Sequence, residues 1–351
     1  MPETVTRLKL SGSHEEIGFA HGLLLKQQVR RNIEFYKALF LARLGDESRI
    51  LKSADFFRKA IKSYNPEFAV EIDSIALGAG ISEPLWLYAL NARTELTLAG
   101  QINECTAVAF PEVGLIGQTW DWAESLLDNF VIMQIDLPSG ISTLQLTEAG
   151  IIGKIGMNNL GLGVTLNIHW VPGIHFSGIP VHILLRAVLE SGSLDEAKNA
   201  IYRSGGGKAS NLIVCQGGSG FDVEFYGEGS VFHKIEDPAY VHTNHLIHAR
   251  AGLQVESTNL AGSIARFDAV KKAFATSRDY SRKKMVSILS ECPGGEGSVL
   301  ACYKPDIQSG LGYIGTLATV VMDLSEKRMY VRKGNPSLDS FSIRNFIQYS
   351  I

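Results

Sequence analysis

Four cysteines in 351 residues, Cys105, Cys215, Cys292 and Cys302, are too few and too widely spaced for a disulfide framework, and none forms a Cys-x-x-Cys pair. They read as reduced thiols of a cytosolic protein, each placed for packing or for chemistry. Basic charge is not in surplus. The 33 Lys and Arg against 36 Asp and Glu leave a net charge of -3, without the positive field that nucleic acid or an anionic membrane surface would attract. No apolar run approaches the roughly 18 residues of a membrane span, and Met1 to Arg7 contains no basic stretch leading into an apolar one. Repeats, low-complexity tracts and charge blocks are also missing. What is present is a globular composition, 45% hydrophobic and 20% charged, enough for one large domain or two ordinary ones. It points to small molecules as partners and leaves homo-oligomers open.

From His14 to about Gly100 apolar residues recur at helical spacing, as in Ile17, Ala20, His21, Leu24 and Ile33, Tyr36, Leu39, Phe40. At Cys105 the pattern changes to short β-rich runs: 106–110, 115–120, 130–137, 142–146, 151–157 and 163–167, a six-strand antiparallel meander by count. Helices follow over 181–190 and 194–202, then strands over 211–215, 221–226, 230–235 and 239–243. Two more helices are expected over 260–274 and 282–289, and last strands over 298–301, 314–322 and 328–333. Two groups of antiparallel strands separated by helices predict an α+β fold, a four-layer α/β/β/α sandwich preceded by a helical segment.

The change of pattern puts Cys105 at the first position of the first strand. Pro111-Glu112-Val113-Gly114 is a turn signal, and centring it on Val113 pairs residues whose numbers sum to 226, so Cys105 faces Asp121. Opposed side chains on an antiparallel pair have Cβ atoms about 4.5–5.5 Å apart. By position alone the commoner reading is a cysteine that fills space, since buried thiols are usually inert. The chemical reading is specific, however. If the chain is cut before Cys105, its α-amino group, with a pKa near 8, can take the thiol proton, so that base and nucleophile share one residue.

The residues also resemble a known family: Gly12 to Gly22, Gly78-Ala79-Gly80, Asn91 to Leu96, Cys105-Thr106, Gly117 to Trp122, Gly156 to Leu162, His242-Thr243-Asn244-His245 and Thr316 to Asp323 are similar in order and spacing to the acyl-coenzyme A:6-aminopenicillanic acid (isopenicillin N) acyltransferases and their bacterial relatives, the C45 peptidase group of the N-terminal-nucleophile hydrolases. The resemblance implies an inactive precursor cut between Glu104 and Cys105, with residues 1–104 as a helical pro-segment and 105–351 as the catalytic domain. It further implies a thioester on Cys105 that is hydrolysed or transferred, with no cofactor. Asp121 would orient the freed amine and thiol, Asn244 would help bind the oxyanion, and Asn158 matches a second asparagine of the related penicillin V acylases and bile-salt hydrolases. Two positions depart from the family pattern: Glu104 replaces a glycine, and Cys302 is followed by Tyr303 and Lys304 where an arginine is usual. A rival reading is a scaffold without catalysis, or one that cuts only itself.

Other signals are weaker. Trp120, Trp122 and the aromatic segment holding Trp170 and Phe176 are expected to line an acyl pocket. His242, His245 and His248 have no carboxylate or thiolate close in sequence to complete a metal site. Gly205 to Ser210 has the wrong glycine spacing for a phosphate loop and reads as a turn.

Overall fold

Ser13 opens the first helix as a capping box: its side chain accepts from the Glu16 backbone while the Glu16 carboxylate reaches back to the Ser13 N–H. That helix, α1 (His14–Leu24), is followed by α2 (Lys26–Leu44), α3 (Glu47–Tyr64), α4 (Pro66–Ala79), α5 (Leu85–Asn91) and α6 (Arg93–Thr97). Asn65 caps α4, with Pro66 as its first residue, and Gly80 ends it at φ +64. The glycine spacing of the α1 motif has a packing cause. A Cβ on Gly18 would stand 2.2 Å from the Glu71 carbonyl oxygen, and one on Gly22 2.2 Å from that of Ile75. The two glycines therefore let α1 and α4 approach backbone to backbone.

The computed structural model describes residues 5–97, 105–169, 171, 176–249, 260–291, 297–306, 311–334 and 346–351. Before α1 lies β1 (Arg7–Ser11), and after α6 come β2 (Thr106–Phe110), β3 (Leu115–Ala123), β4 (Phe130–Asp136), β5 (Ser142–Glu148), β6 (Ile155–Asn158), β7 (Gly163–Val164) and β8 (Asn167–Ile168). Then follow α7 (Val181–Leu189), α8 (Leu194–Arg203), β9 (Lys208–Gln216), β10 (Ser219–Gly227), β11 (Ser230–Lys234), β12 (Tyr240–His242), α9 (Leu260–Ala275) and α10 (Arg282–Leu289). The last strands are β13 (Lys304–Asp306), β14 (Gly312–Asp323), β15 (Arg328–Lys333) and β16 (Ile347–Ser350).

One sheet runs β1-β4-β5-β6-β7-β9-β10-β11 with β8 on β9; the other runs β12-β2-β3-β14-β15-β16 with β13 on β14. Helices α7 and α8 cover the first, α9 and α10 the second, and the inner faces meet in one apolar core. The four-layer sandwich is thus as expected, with four corrections. The meander is split, because β2 and β3 belong to one sheet and β4 to β7 to the other. The pair β1–β4 is parallel, so the first sheet is not wholly antiparallel and draws its edge from the N-terminal segment. Residues 298–301 form no strand, and the run read as a strand over 151–157 becomes one only from Ile155, because 151–154 is a loop tied by side chains of the N-terminal segment. Finally, Thr106 pairs with Thr119 and Phe110 with Leu115, a sum of 225. A 3-10 turn over Pro111–Val113 and Gly114 at φ +68 make a four-residue connection, centred half a residue before Val113. The one-residue slip leaves Cys105 across from Trp120 rather than Asp121.

The N-terminal segment is built into the sandwich. Asn32 donates to the Ala149 carbonyl (2.8 Å), Asn91 donates to that of Gly150 (2.8 Å) and accepts from the Ile152 N–H (3.0 Å), and His21 Nε2 accepts from the Gly150 N–H (2.9 Å). Glu71 of α4 receives Arg186 of α7 through two bonds of 2.8 Å, both residues fully buried. Loss of one partner from such a pair costs about 3–5 kcal/mol.

Candidate active site

Cys105 enters β2 buried, with 8% of its surface exposed. Despite the slipped register, Cys105 and Asp121 line one cavity with Arg93, Gln118, Trp120, Trp122, Lys154 and Asn244. Residues Ile155, Leu166 and Ile168 close the apolar side. The cavity holds about 20 Å³, room for about one water. Burial, aided by the Asp121 carboxylate, pushes the Cys105 thiol up to about 12, against the opposing influence of Arg266 and Lys154. In the uncut chain the sulfur is accordingly held as a thiol, not as the nucleophilic thiolate.

Asn244 follows β12. Its backbone N–H donates to Ser263 (2.8 Å), its Nδ2 to the Ile168 carbonyl (2.7 Å), and its Oδ1 accepts from Arg266 (2.9 Å). The same guanidinium donates to the Cys105 carbonyl (2.7 Å) and the Thr106 hydroxyl (3.0 Å). Arg266 therefore fixes Cys105 and Asn244 relative to each other, and sequence reasoning missed it. A signal existed: Ser263, Arg266 and Val270 form the buried stripe of α9, where a charged residue among buried positions calls for a partner. Lys304, the cation closest to the departure from the family pattern, is exposed on β13 and lines no part of the cavity.

The second missed group comes from both sides of residue 105. Glu148 at the end of β5 accepts from Lys154 (2.8 Å), Arg93 (2.9 Å) and the Tyr36 hydroxyl (2.5 Å). Burial alone would raise its carboxyl, but Arg93 and Lys154 hold it down at about 2. Burial brings Lys154 down to about 7, against the attraction of Glu148. The ammonium sits 3.0 Å above the centre of the Trp120 ring, and the Arg93 guanidinium lies 5.0 Å from that of Trp122 and 5.3 Å from that of Tyr36.

The remaining expectations divide. Trp120 and Trp122 do line the cavity. Phe176 is not among its lining residues; it packs on Phe57 at 4.8 Å between ring centres. Glu104 and Trp170 lie outside the described residues. Asn158 is not brought to Cys105: its Nδ2 donates to the carbonyls of Leu189 (3.0 Å) and Ser191 (2.8 Å), and its Oδ1 accepts from the N–H groups of Leu160 (3.0 Å) and Leu162 (3.1 Å). All its bonding capacity goes into the β6–β7 turn and the end of α7. Lys208 is likewise structural, donating to the carbonyls of Ser204 (3.1 Å) and Gly205 (2.6 Å).

For the histidines, carboxylates do stand near in space, contrary to the reading from sequence: β10 brings Asp222 and Glu224 to His242, with one ligand atom of each within 4.8 Å of the others. His242 donates from Nδ1 to the Thr243 carbonyl (2.7 Å) and from Nε2 to Glu224 (2.9 Å). Burial works against its proton, but Asp222 and Glu224 outweigh it and raise its pKa. The Glu224 carboxylate also accepts the N–H groups of Ile247 (2.5 Å), His248 (3.0 Å) and Ala249 (2.8 Å).

The profile of the family described as acyl-coenzyme A:6-aminopenicillanic acid acyl-transferase matches residues 110–338. The acyl-coenzyme A:6-aminopenicillanic-acid-acyltransferase 40 kDa form of Emericella nidulans is 30% identical over 350 residues, spanning 93% of this chain and 92% of that protein. The chain belongs to this acyltransferase family. Among solved structures, a mutant conjugated bile acid hydrolase from Clostridium perfringens is 14% identical with a TM-score of 0.48, covering 71% of this chain and 92% of the other. The penicillin V acylase from Agrobacterium tumefaciens is 12% identical with a TM-score of 0.43, covering 66% and 83%.

Proposed function

We propose that the protein is a self-processing cysteine enzyme of the N-terminal-nucleophile type, which cleaves the bond between Glu104 and Cys105 and then carries an acyl group as a thioester on Cys105. The observation that carries this reading is the state of Cys105: a thiol pushed to about 12, in the same cavity as Asp121 and Asn244. A sulfur so held needs a base, and the α-amine released by cleavage, with a pKa near 8, is a base on the same residue. Asp121 would orient that amine. Asn244, once its Nδ2 leaves the Ile168 carbonyl, would donate to the oxyanion of the tetrahedral intermediate.

The thiolate attacks the carbonyl carbon of a small linear amide or thioester, the leaving amine or thiol takes a proton, and the acyl-cysteine remains. Water then gives hydrolysis, and a bound amine gives transfer. The family description, with an acyl-coenzyme A donor and an amine acceptor, supports transfer as one of the two outcomes. The small cavity of the intact chain fits a precursor that is closed until it is cut. Intact mass spectrometry of the purified protein tests the reading. Fragments of about 11 and 27 kDa, in proportion to 104 and 247 of 351 residues, are expected in place of the 38.3 kDa chain, with Cys105 as the new N-terminus. An uncut chain that never forms a thioester would favour a scaffold without catalysis.

A further inference from the structure

The fully buried Asp222 carboxylate has one oxygen provided for and one not. Its Oδ1 accepts from the Asn211 amide, whereas its Oδ2 is buried without a hydrogen-bond partner among the described residues. The Tyr240 hydroxyl lies near the same carboxylate but is bonded to His248 Nε2 (2.6 Å). An open carboxylate oxygen in the interior is costly, and this one faces a prepared set. Glu224, two residues along β10, and His242 on β12 each bring one ligand atom, and with that of Asp222 all three lie within 4.8 Å of one another. His242 Nε2 is 2.9 Å from Glu224 Oε1, and atoms that share one ion at about 2.0–2.1 Å stand about 3 Å apart. Each side chain is also held from behind. His242 donates from Nδ1 to the Thr243 carbonyl (2.7 Å), Glu224 accepts the N–H groups of Ile247, His248 and Ala249, and Asn211 holds Asp222. Such outer bonds fix the ring tautomer and aim the ligand atoms of metal sites. Among the described residues the ion-pair contacts of both carboxylates are with histidines, so two negative charges beside a neutral imidazole match one divalent ion.

We propose that Asp222 Oδ2, Glu224 Oε1 and His242 Nε2 bind one divalent transition-metal ion, zinc by the chemistry of the set, with water or His248 Nε2 in the fourth position. His248 Nε2 is 3.7 Å from Asp222 Oδ2 and its side chain is 22% exposed, so the ion enters from that side. Binding exchanges the Nε2 proton of His242 for the metal, which bridges ring and carboxylate where the hydrogen bond stands, and the proton passes to solvent. The role is structural. None of the three residues lines the Cys105 cavity, but β10 and β12 belong to different sheets, so the ion pins the two layers together. It does so just ahead of Asn244, which does line that cavity.

Zinc alone is the probe. The full-length protein, stripped with a chelator, is given zinc and desalted. About one zinc per chain is expected to remain by elemental analysis, and Tm is expected to rise with zinc concentration. X-ray absorption of the native protein should show nitrogen and oxygen at about 2.0–2.1 Å, one or two imidazoles, and no sulfur at about 2.3 Å, which excludes binding by the cysteines. Asp222→Asn is expected to weaken zinc binding about 100-fold or more, and Asn211→Ala about 10–100-fold, as loss of an outer partner does. If Asp222→Asn does not fold, the native absorption shell and Asn211→Ala decide. No retained zinc with an unchanged Tm, a sulfur ligand, or an affinity that neither substitution lowers would each overturn the proposal.

Discussion

The buried charged groups around Glu148 and around Glu224 are finished differently. The Glu224 carboxylate is itself saturated: its two oxygens receive the His242 ring and three successive backbone N–H groups. This fixes the chain just beyond Asn244, so the cluster orders a segment that the cavity uses. Around Glu148 the bonding does not close, because Arg93 keeps buried donors in reserve. A satisfied polar network specifies structure, whereas one with open donors beside the Cys105 thiol can still take a partner.

Substitutions sharpen that contrast. Cys105→Ala should abolish both self-cleavage and turnover, read by intact mass and by product formation, while leaving the Glu224 cluster and the fold unchanged by circular dichroism. Glu224→Gln should lower stability by about 3–5 kcal/mol in urea denaturation, as removal of one member of a buried pair does. Asn244→Ala should retain the fold and lower the rate by about 10²–10³, the usual loss for one oxyanion donor. Asn158→Ala should do the opposite, lowering stability by about 2–4 kcal/mol through its lost hydrogen bonds with little change in kcat/KM of the folded fraction. If Asn158→Ala cost rate rather than stability, the division between frame and cavity would fail at that residue.

The smallest effect is in pH. Burial works to raise the Glu224 carboxyl, but His242 brings it down to about 2, from an ordinary 4.5. Its contribution is therefore present above pH 4.5 and is lost as pH falls towards 2. His242 is raised above its ordinary 6.5, so its contribution is complete below 6.5 and is lost as pH rises through the folded value. The stability difference between native protein and Glu224→Gln should peak between pH 4.5 and 6.5. Asp222, which burial raises to about 6, titrates in both. A difference that keeps growing above pH 8 would show that His242 is neutral in the fold.

Much of this was legible in the sequence because it is written locally. The shift from helical spacing to strands marks Cys105, and β3 delivers Trp120, Asp121 and Trp122 together to the cavity. The turn after β2 was placed correctly, yet its centre was set half a residue too late, and that difference moved Asp121 out of direct register with Cys105; the two residues still line one cavity. Arg93, Lys154, Glu148 and Arg266 were not legible as a group, because pairing between residues far apart in sequence leaves no periodic trace. Strands β1 and β16 were missed for a related reason: each is short, and its identity comes from the edge it joins. Asn158 and Asn244 read alike from their neighbours, and only their hydrogen bonds separate a turn residue from one that faces the thiol.

The edge strands bear on how the protein can be rebuilt. Arg7 donates to the Ser350 carbonyl (3.0 Å), and the Tyr349 hydroxyl donates to that of Val5 (3.4 Å), so the first and last strands among the described residues lie side by side at these ends. A circularly permuted gene, with those ends joined by a short linker and the reading frame opened ahead of Cys105, would yield the freed cysteine by translation and removal of the initiator methionine alone. Maturation would then be bypassed, and catalysis could be studied in variants that can no longer cut themselves.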